Sequence, residues 1–181
     1  TNRLYSLGLQ YLAHAAASVQ WESAEIDAYF LDLSESETLV QIRASGSCSV
    51  IGFMLNSAGM AEAARRIVRT LRAERDTPFL VIAGGHFAAR NAKSLLSEGG
   101  AFDVVVRGEG ERALARILQD IAANGRVRST ASVWVRGAPT PARPPIPARS
   151  ADLDEFGSLS LPSLRTLLAQ QEWSIVTSRG C

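Results

Sequence analysis

Three short, continuous apolar runs organise the hydrophobic pattern of this chain. They cover Val50–Leu55, Phe79–Ala83 and Phe102–Val106. Runs of this length, which are apolar throughout except for Gly52 and Asp103, are typical of strands buried on both faces of a parallel sheet. A fourth segment, Ile26–Leu33, alternates apolar and polar positions and predicts a half-buried strand. We therefore predict at least four strands.

Helical signals separate the predicted strands. Ser6 can cap a first helix that ends near Ser18, and Ser34 with Glu37 forms a capping box that opens a second. A third helix follows the turn at 56–59, and Gly125 marks the end of a later one. Another helix is predicted over 88–96. The other helices each show an apolar stripe that we expect to face the core: Leu9, Leu12, Ala13 and Ala16; Met60, Ala64, Ile67 and Leu71; and Leu114, Ile117, Leu118 and Ile121.

Strands that alternate with helices predict an α/β fold, namely a doubly wound parallel sheet of Rossmann-like or flavodoxin-like type. The expected domain spans residues 1–136. Residues 137–173 hold a proline-rich linker and connector, since proline fixes φ and removes a donor. Residues 174–181 are expected to begin another domain, with one more strand at 174–177. A first strand, expected before the opening helix, is absent or lies upstream of Thr1.

Glycines follow two of the predicted strands. Gly84 and Gly85 come directly after Ala83, and a turn with the letters RGEGE follows Val106. Open α/β sheets bind ligands at the carboxyl ends of their strands, and glycine allows close approach of a ligand to the backbone. The paired glycines therefore predict a binding slot. The glutamates of the turn favour a helix start and could accept hydrogen bonds from ligand amides.

The amino-acid composition of the chain argues against several classes of protein. The 181 residues carry a formal net charge of +1. A charge this small does not indicate a basic surface that binds nucleic acid or an anionic membrane. No apolar run approaches the roughly 20 residues that span a bilayer, and the first residues lack the features of a signal peptide. The two cysteines do not suggest a disulfide framework. We expect a cytoplasmic protein with no nucleic-acid or membrane partner.

Four motifs of this sequence occur together in one known family. They are LGLQYLA at 7–13, GGHFA at 84–88, RGEGE at 107–111 and TSRGC at 177–181. Together they resemble the amino-terminal cobalamin-binding domain of cobalamin-dependent radical SAM enzymes, and the resemblance covers most of the chain. In that family the cysteine of TSRGC is the first of a CxxxCxxC motif, and this chain ends on it. The chain therefore resembles a fragment that contains the cofactor domain and only the start of a radical SAM barrel.

The resemblance implies a function and a set of ligands. It implies that the chain binds cobalamin in the base-off form and that the parent is an enzyme, a methyltransferase or a related radical-based biosynthetic enzyme. That parent would also hold a [4Fe-4S] cluster and S-adenosylmethionine, with Cys181 as the first cluster ligand and the missing barrel as partner. No catalytic residue is expected in this chain. The cofactor-binding residues indicated are Leu7, Gly8, Met54, Leu55, Asn56, Ser57, Gly84, Gly85, His86, Phe87, Gly108, Glu109, Gly110 and Glu111.

Two other classes stay open as alternatives. A corrinoid carrier domain of a methyltransferase or mutase would have a DxHxxG loop and an SxL motif, and this chain has Met54-Leu55-Asn56 at the place of SxL and no DxHxxG. A receiver or flavodoxin-like module would need a lysine after a late strand or a phosphate loop, whereas Lys93 lies in a predicted helix. A GxGxxA match at 108–113 is rejected, since its glutamates would repel a pyrophosphate.

The chain has two histidines, and we predict that neither binds cobalt. His14 lies inside the first predicted helix, and one histidine without an acidic or cysteine partner is poor evidence for a metal site. His86 directly follows the glycines, where the nucleotide tail of the cofactor is expected. The lower face of cobalt would instead be covered by the turn at 54–57 and by a loop expected upstream of Thr1.

Overall fold

The computed structural model describes residues 6–97 and 99–139. Its elements, in chain order, are the helices α1 (Leu7–Ser18) and α2 (Glu35–Ala44), the strand β1 (Val50–Met54), the helix α3 (Ala58–Glu74), the strand β2 (Leu80–Gly84), the helices α4 (His86–Arg90) and α5 (Ala92–Ser97), the strand β3 (Val104–Val106), the helix α6 (Gly110–Asn124) and the strand β4 (Val133–Val135). The predicted linker from Thr140 onward and the predicted strand at 174–177 lie outside the described residues. The domain boundaries therefore stay predictions.

The sheet has the order β1-β2-β3-β4. β1, β2 and β3 are parallel, with Gly52 opposite Ile82 and Ile82 opposite Val104. β4 is antiparallel to β3 and pairs Trp134 with Val105. The three apolar runs thus form the parallel part of the sheet as predicted, and a short antiparallel edge strand completes it.

Both faces of the sheet are covered, because side chains alternate along each strand. Val81, Ala83 and Val105 face a core made with α3, α4 and α5. Ile82 and Val104 face a second core made with α6. The predicted doubly wound α/β architecture is confirmed. Among the described helices, none combines the length and the apolar character needed to cross a membrane.

Local sequence signals explain most helix boundaries. Ser34 and Glu37 form the predicted capping box, in which the Glu37 amide donates to Ser34 Oγ (3.3 Å) and Glu37 Oε2 accepts from the Ser34 amide (2.8 Å). Gly125 ends α6 in the left-handed region with φ 65°, where glycine has no Cβ penalty. Asn91 separates α4 from α5, since its side-chain amide donates to Phe87 O (2.9 Å) and competes with the helical hydrogen bonds. The single helix predicted over 88–96 is therefore two short helices.

The strand predicted at Ile26–Leu33 is wrong. The Asp27 carboxylate accepts hydrogen bonds from the amides of Ser6 (2.8 Å) and Phe30 (3.0 Å). Its backbone carbonyl accepts from the amide of Leu31 at 3.0 Å. These bonds fold the segment into a turn, as aspartate commonly does. Tyr29 and Leu31 are consequently exposed (62% and 54%), whereas Ile26 packs against the core.

Two predicted stripes also differ in detail. On α3, Ala64, Ile67 and Leu71 are buried as expected, but Met60 is 40% exposed. On α1, the buried positions are Gln10, Ala15 and Ala16, while Leu9, Leu12 and Ala13 are only partly covered. α1 packs mainly on α6 instead of directly on the sheet. Its contact surface is therefore rotated relative to the stripe of large apolar residues.

Candidate functional site

The carboxyl ends of β1, β2 and β3 meet at one edge of the sheet because these strands are parallel. This edge brings together three segments that sequence reasoning selected separately: Met54–Ser57, Gly84–Phe87 and Gly108–Glu111. Gly8 of α1 also reaches this edge, since a Cβ built on it would lie 3.0 Å from Met54 Cε. We call this group of segments the strand-end edge.

Backbone hydrogen bonds tie the loop after β1 to the loop after β2. The Leu55 amide donates to Gly84 O (2.7 Å), and the Phe87 amide donates to Leu55 O (3.1 Å). The His86 amide donates to Asn56 Oδ1 at 3.3 Å. Two segments some thirty residues apart in sequence therefore form one rigid unit at the strand-end edge.

Gly85 has a packing role in this unit. Its φ of 95° and ψ of 173° lie in a region that is almost exclusive to glycine. A Cβ at this position would lie 2.7 Å from Leu55 O and 2.8 Å from Asn56 Oδ1. The absence of a side chain at Gly85 therefore allows the two loops to contact each other.

Gly84 has a different environment. No atom lies within 4 Å of a Cβ built on it, and the same holds for Gly52 in the middle of β1. Both residues face the α6 side of the sheet, because Gly84 is two residues beyond Ile82 and Gly52 pairs with Ile82. We call the uncovered space above them the glycine slot. Sequence reasoning missed Gly52, although a glycine inside an apolar strand is a recognised sign of close backbone approach.

The turn after β3 forms the third side of the strand-end edge. Gly108 has φ 113° with open space where a Cβ would lie. Glu109 is the residue before α6, and Glu111 in the first turn is only 7% exposed. Carboxylates are favoured at a helix amino end by the helix dipole. Gly110 contributes to packing, since a Cβ there would lie 2.9 Å from Leu12 Cδ2 of α1.

Metal-binding side chains do not gather within the described ranges. No group of three or more histidine, cysteine, aspartate or glutamate side chains there could hold a metal ion. His86 begins α4 with an exposed side chain, and His14 is half-buried on α1. The predicted cluster ligand, Cys181, lies outside the described residues.

Two surface cavities lie away from the strand-end edge. One of about 270 Å³ lies beside β4 and is lined by Lys93 and Trp134. A second of about 700 Å³ lies at the opposite edge of the sheet, where Arg75, Phe79 and Arg126 line it. Neither Gly52 nor Gly84 lines either of these two cavities.

The chain resembles solved structures of one enzyme in its fold. No curated protein is significantly similar to the chain in sequence. A solved structure of the radical S-adenosylmethionine methyltransferase TsrM from Kitasatospora setae, with tryptophan substrate and a SAM analog bound, is similar with a TM-score of 0.60 and 22% identity. A second structure of the same enzyme, with cobalamin and a [4Fe-4S] cluster bound, is similar with a TM-score of 0.58 and 19% identity.

Coverage in these comparisons is unequal. Each solved structure matches 78% of this chain, whereas this chain spans only 28% and 29% of the two TsrM chains. At these identities the likeness shows the fold. The profile of the B12 binding domain family matches residues 1–118, which include all three segments of the strand-end edge. The chain therefore belongs to the B12-binding domain family.

Proposed function

We propose that this chain binds cobalamin at the strand-end edge, with the nucleotide tail of the cofactor in the glycine slot. The observation that carries this proposal is the open space above Gly52 and Gly84, in contrast to the tight packing around Gly85. Three loops converge there and leave backbone atoms accessible. A flat heterocycle with a ribose and phosphate linker can approach a backbone only where no Cβ intervenes.

The chain's own residues would orient the cofactor from two directions. Met54 and Gly8 border the glycine slot on the side of α1. Glu109 flanks the start of α6, where its half-buried carboxylate would accept a hydrogen bond from an amide side chain of a corrin ring. Glu111 is buried in the first turn and would support the turn from within. Leu55, Asn56 and Phe87 act indirectly, because their hydrogen bonds hold the loops in place.

We further propose that the chain is the cofactor domain of a cobalamin-dependent radical SAM methyltransferase. The support is the family membership, the fold shared with TsrM and the TSRGC motif at 177–181. Bound cobalamin would supply methyl-transfer chemistry to such a parent protein. Cys181 offers one thiolate of the several that an iron–sulfur cluster needs. The residues of this chain therefore supply binding and orientation, and the proposed partner is a radical SAM barrel.

Titration with hydroxocobalamin tests the binding proposal. We expect about one equivalent to bind per chain with a base-off absorption spectrum. Gly84→Leu places a branched side chain in the glycine slot, where its Cβ meets no atom within 4 Å. Since overpacking costs about 1–3 kcal/mol, we expect the affinity to fall about fivefold to 150-fold. Ala123→Leu is the matched control, because it adds the same side chain at an exposed position near the end of α6.

The two variants separate a specific effect from a general one. Equal cobalamin affinity of Gly84→Leu and the parent chain would show that the tail does not occupy the glycine slot. Absence of binding by the parent chain itself would refute the cofactor assignment. An equal loss in Ala123→Leu would mean that the added leucine acts through general stability.

A further inference from the structure

One arginine connects the end of β3 to α4 and β4, next to the strand-end edge. Arg107 follows β3, and its Nε donates a hydrogen bond to Ala89 O of α4 at 3.1 Å. Its guanidinium carbon lies 4.4 Å from the centroid of the Trp134 ring on β4. Its own amide donates to Ser132 O at 2.8 Å. A single half-buried side chain thus contacts α4 and β4 from the end of β3.

The contact with Ala89 bears directly on the glycines. α4 begins immediately after Gly85, and two amides of its first turn, those of Phe87 and Ala88, donate to Leu55 O at 3.1 and 3.4 Å. The amino end of α4 is therefore held by the end of β1, and its carbonyl end is held by Arg107. The helix has only five residues, so these two attachments, together with the burial of Ala88 in the core, hold it in position.

We propose that Arg107 is a positioning residue for corrinoid binding: it sets the separation between the loop with Gly84 and Gly85 and the turn with Gly108. This inference rests on the proposed function. The two contacts of this side chain explain why the residue is an arginine. Arginine can donate from Nε while its planar guanidinium stacks on an indole ring. Lysine, with one ammonium at the end of a flexible stem, cannot make both contacts at once.

The experiment compares two corrinoids and uses the full chain. Cobalamin carries the nucleotide tail, whereas cobinamide lacks it. We expect Arg107→Met to weaken cobalamin binding about tenfold, the effect of losing one charge-assisted hydrogen bond, and to change the cobinamide affinity by less than about twofold. Arg107→Lys should resemble Arg107→Met. Arg90→Met is the matched control, since it removes the same charge from an exposed position on α4 and should leave both affinities unchanged.

Hydrogen exchange without any corrinoid provides an independent readout. We expect the amides of Phe87 and Ala88 to exchange faster in Arg107→Met than in the parent chain or in Arg90→Met, because α4 loses its second attachment. If Arg107→Met fails to fold, the same affinities and exchange rates are measured on Arg107→Lys, which keeps the positive charge.

The remaining outcomes contradict the proposal. Parental cobalamin affinity in Arg107→Met or Arg107→Lys, equal losses for cobalamin and cobinamide, or unchanged exchange in α4 would each overturn it. Failure of the parent chain to bind either corrinoid would instead refute the cofactor assignment. The two failures are therefore distinguishable.

Discussion

Adjacent glycines at the end of β2 should respond in opposite ways to the same substitution. In Gly85→Ala the new Cβ meets Leu55 O at 2.7 Å and Asn56 Oδ1 at 2.8 Å, and the backbone has φ 95°. Backbone strain of this kind costs about 1–3 kcal/mol, and overpacking costs about 1–3 kcal/mol more. We therefore expect the free energy of unfolding to fall by roughly 2–6 kcal/mol, a large share of the about 5–15 kcal/mol typical of a domain.

Gly84→Ala is the matched control. The new methyl group meets no atom within 4 Å, and Gly84 is not among the residues with positive φ. The free energy of unfolding should change by less than about 0.5 kcal/mol, as for substitutions that disturb no packing. It could rise slightly, since alanine reduces the conformational entropy of the unfolded chain.

Urea unfolding of the parent chain and both variants measures these differences. We expect the unfolding midpoint to fall in Gly85→Ala with an unchanged m-value, because the same surface is exposed on unfolding. Thermal unfolding should show a midpoint lower by at least about 5 °C for a chain of this size. A parental midpoint in Gly85→Ala, or an equal fall in Gly84→Ala, would refute the distinct roles assigned to the two glycines.

Two other predictions concern charge and the cobalt ligand. Arg128 lowers the pKa of Asp120 through side-chain and backbone hydrogen bonds (2.6–3.1 Å), although burial of the carboxylate opposes this shift. Asp120→Asn should therefore destabilise the fold at pH 7 by about 1 kcal/mol, a value reduced because Arg128 is exposed. The difference in free energy of unfolding between the variant and the parent chain should be complete above the unfolded-state pKa of about 3.9. It should disappear as the pH falls through the lower folded-state pKa. Urea unfolding from pH 7 to pH 3 measures this difference, and a value that does not change with pH would contradict the prediction. Electron paramagnetic resonance of bound cobalt(II) should show no nitrogen superhyperfine splitting, and a splitting that disappears in His86→Ala would identify His86 as a ligand.

The sequence predicted which strand ends form the candidate site, but it did not predict how the loops at these ends pack against each other. Apolar runs before Gly84 and before Arg107 placed both loops at the carboxyl edge of a parallel sheet. The different environments of Gly84 and Gly85 were not predictable, because they depend on Leu55 and Asn56, some thirty residues earlier in the chain. The cofactor role of each residue stays a prediction.

Capping and periodicity are local properties, and the sequence by itself determined the features that depend on them. These features include the capping box at Ser34, the glycine end of α6 at Gly125 and the strand runs of the parallel sheet. A capping hydrogen bond spans only three residues, and burial of a whole apolar run requires no information about the identity of the neighbouring strand.

Only the tertiary structure decided which surfaces meet. It turned the alternating segment at 26–33 into a turn through the bonds of Asp27, paired β4 antiparallel to β3, and placed Arg107 between α4 and Trp134. The pairing of β4 and the contacts of Arg107 join residues that are distant in sequence. The segment at 26–33 forms a local turn instead of pairing with another strand. Periodicity records how apolar a segment is, and the partner that covers it is determined when the whole chain packs.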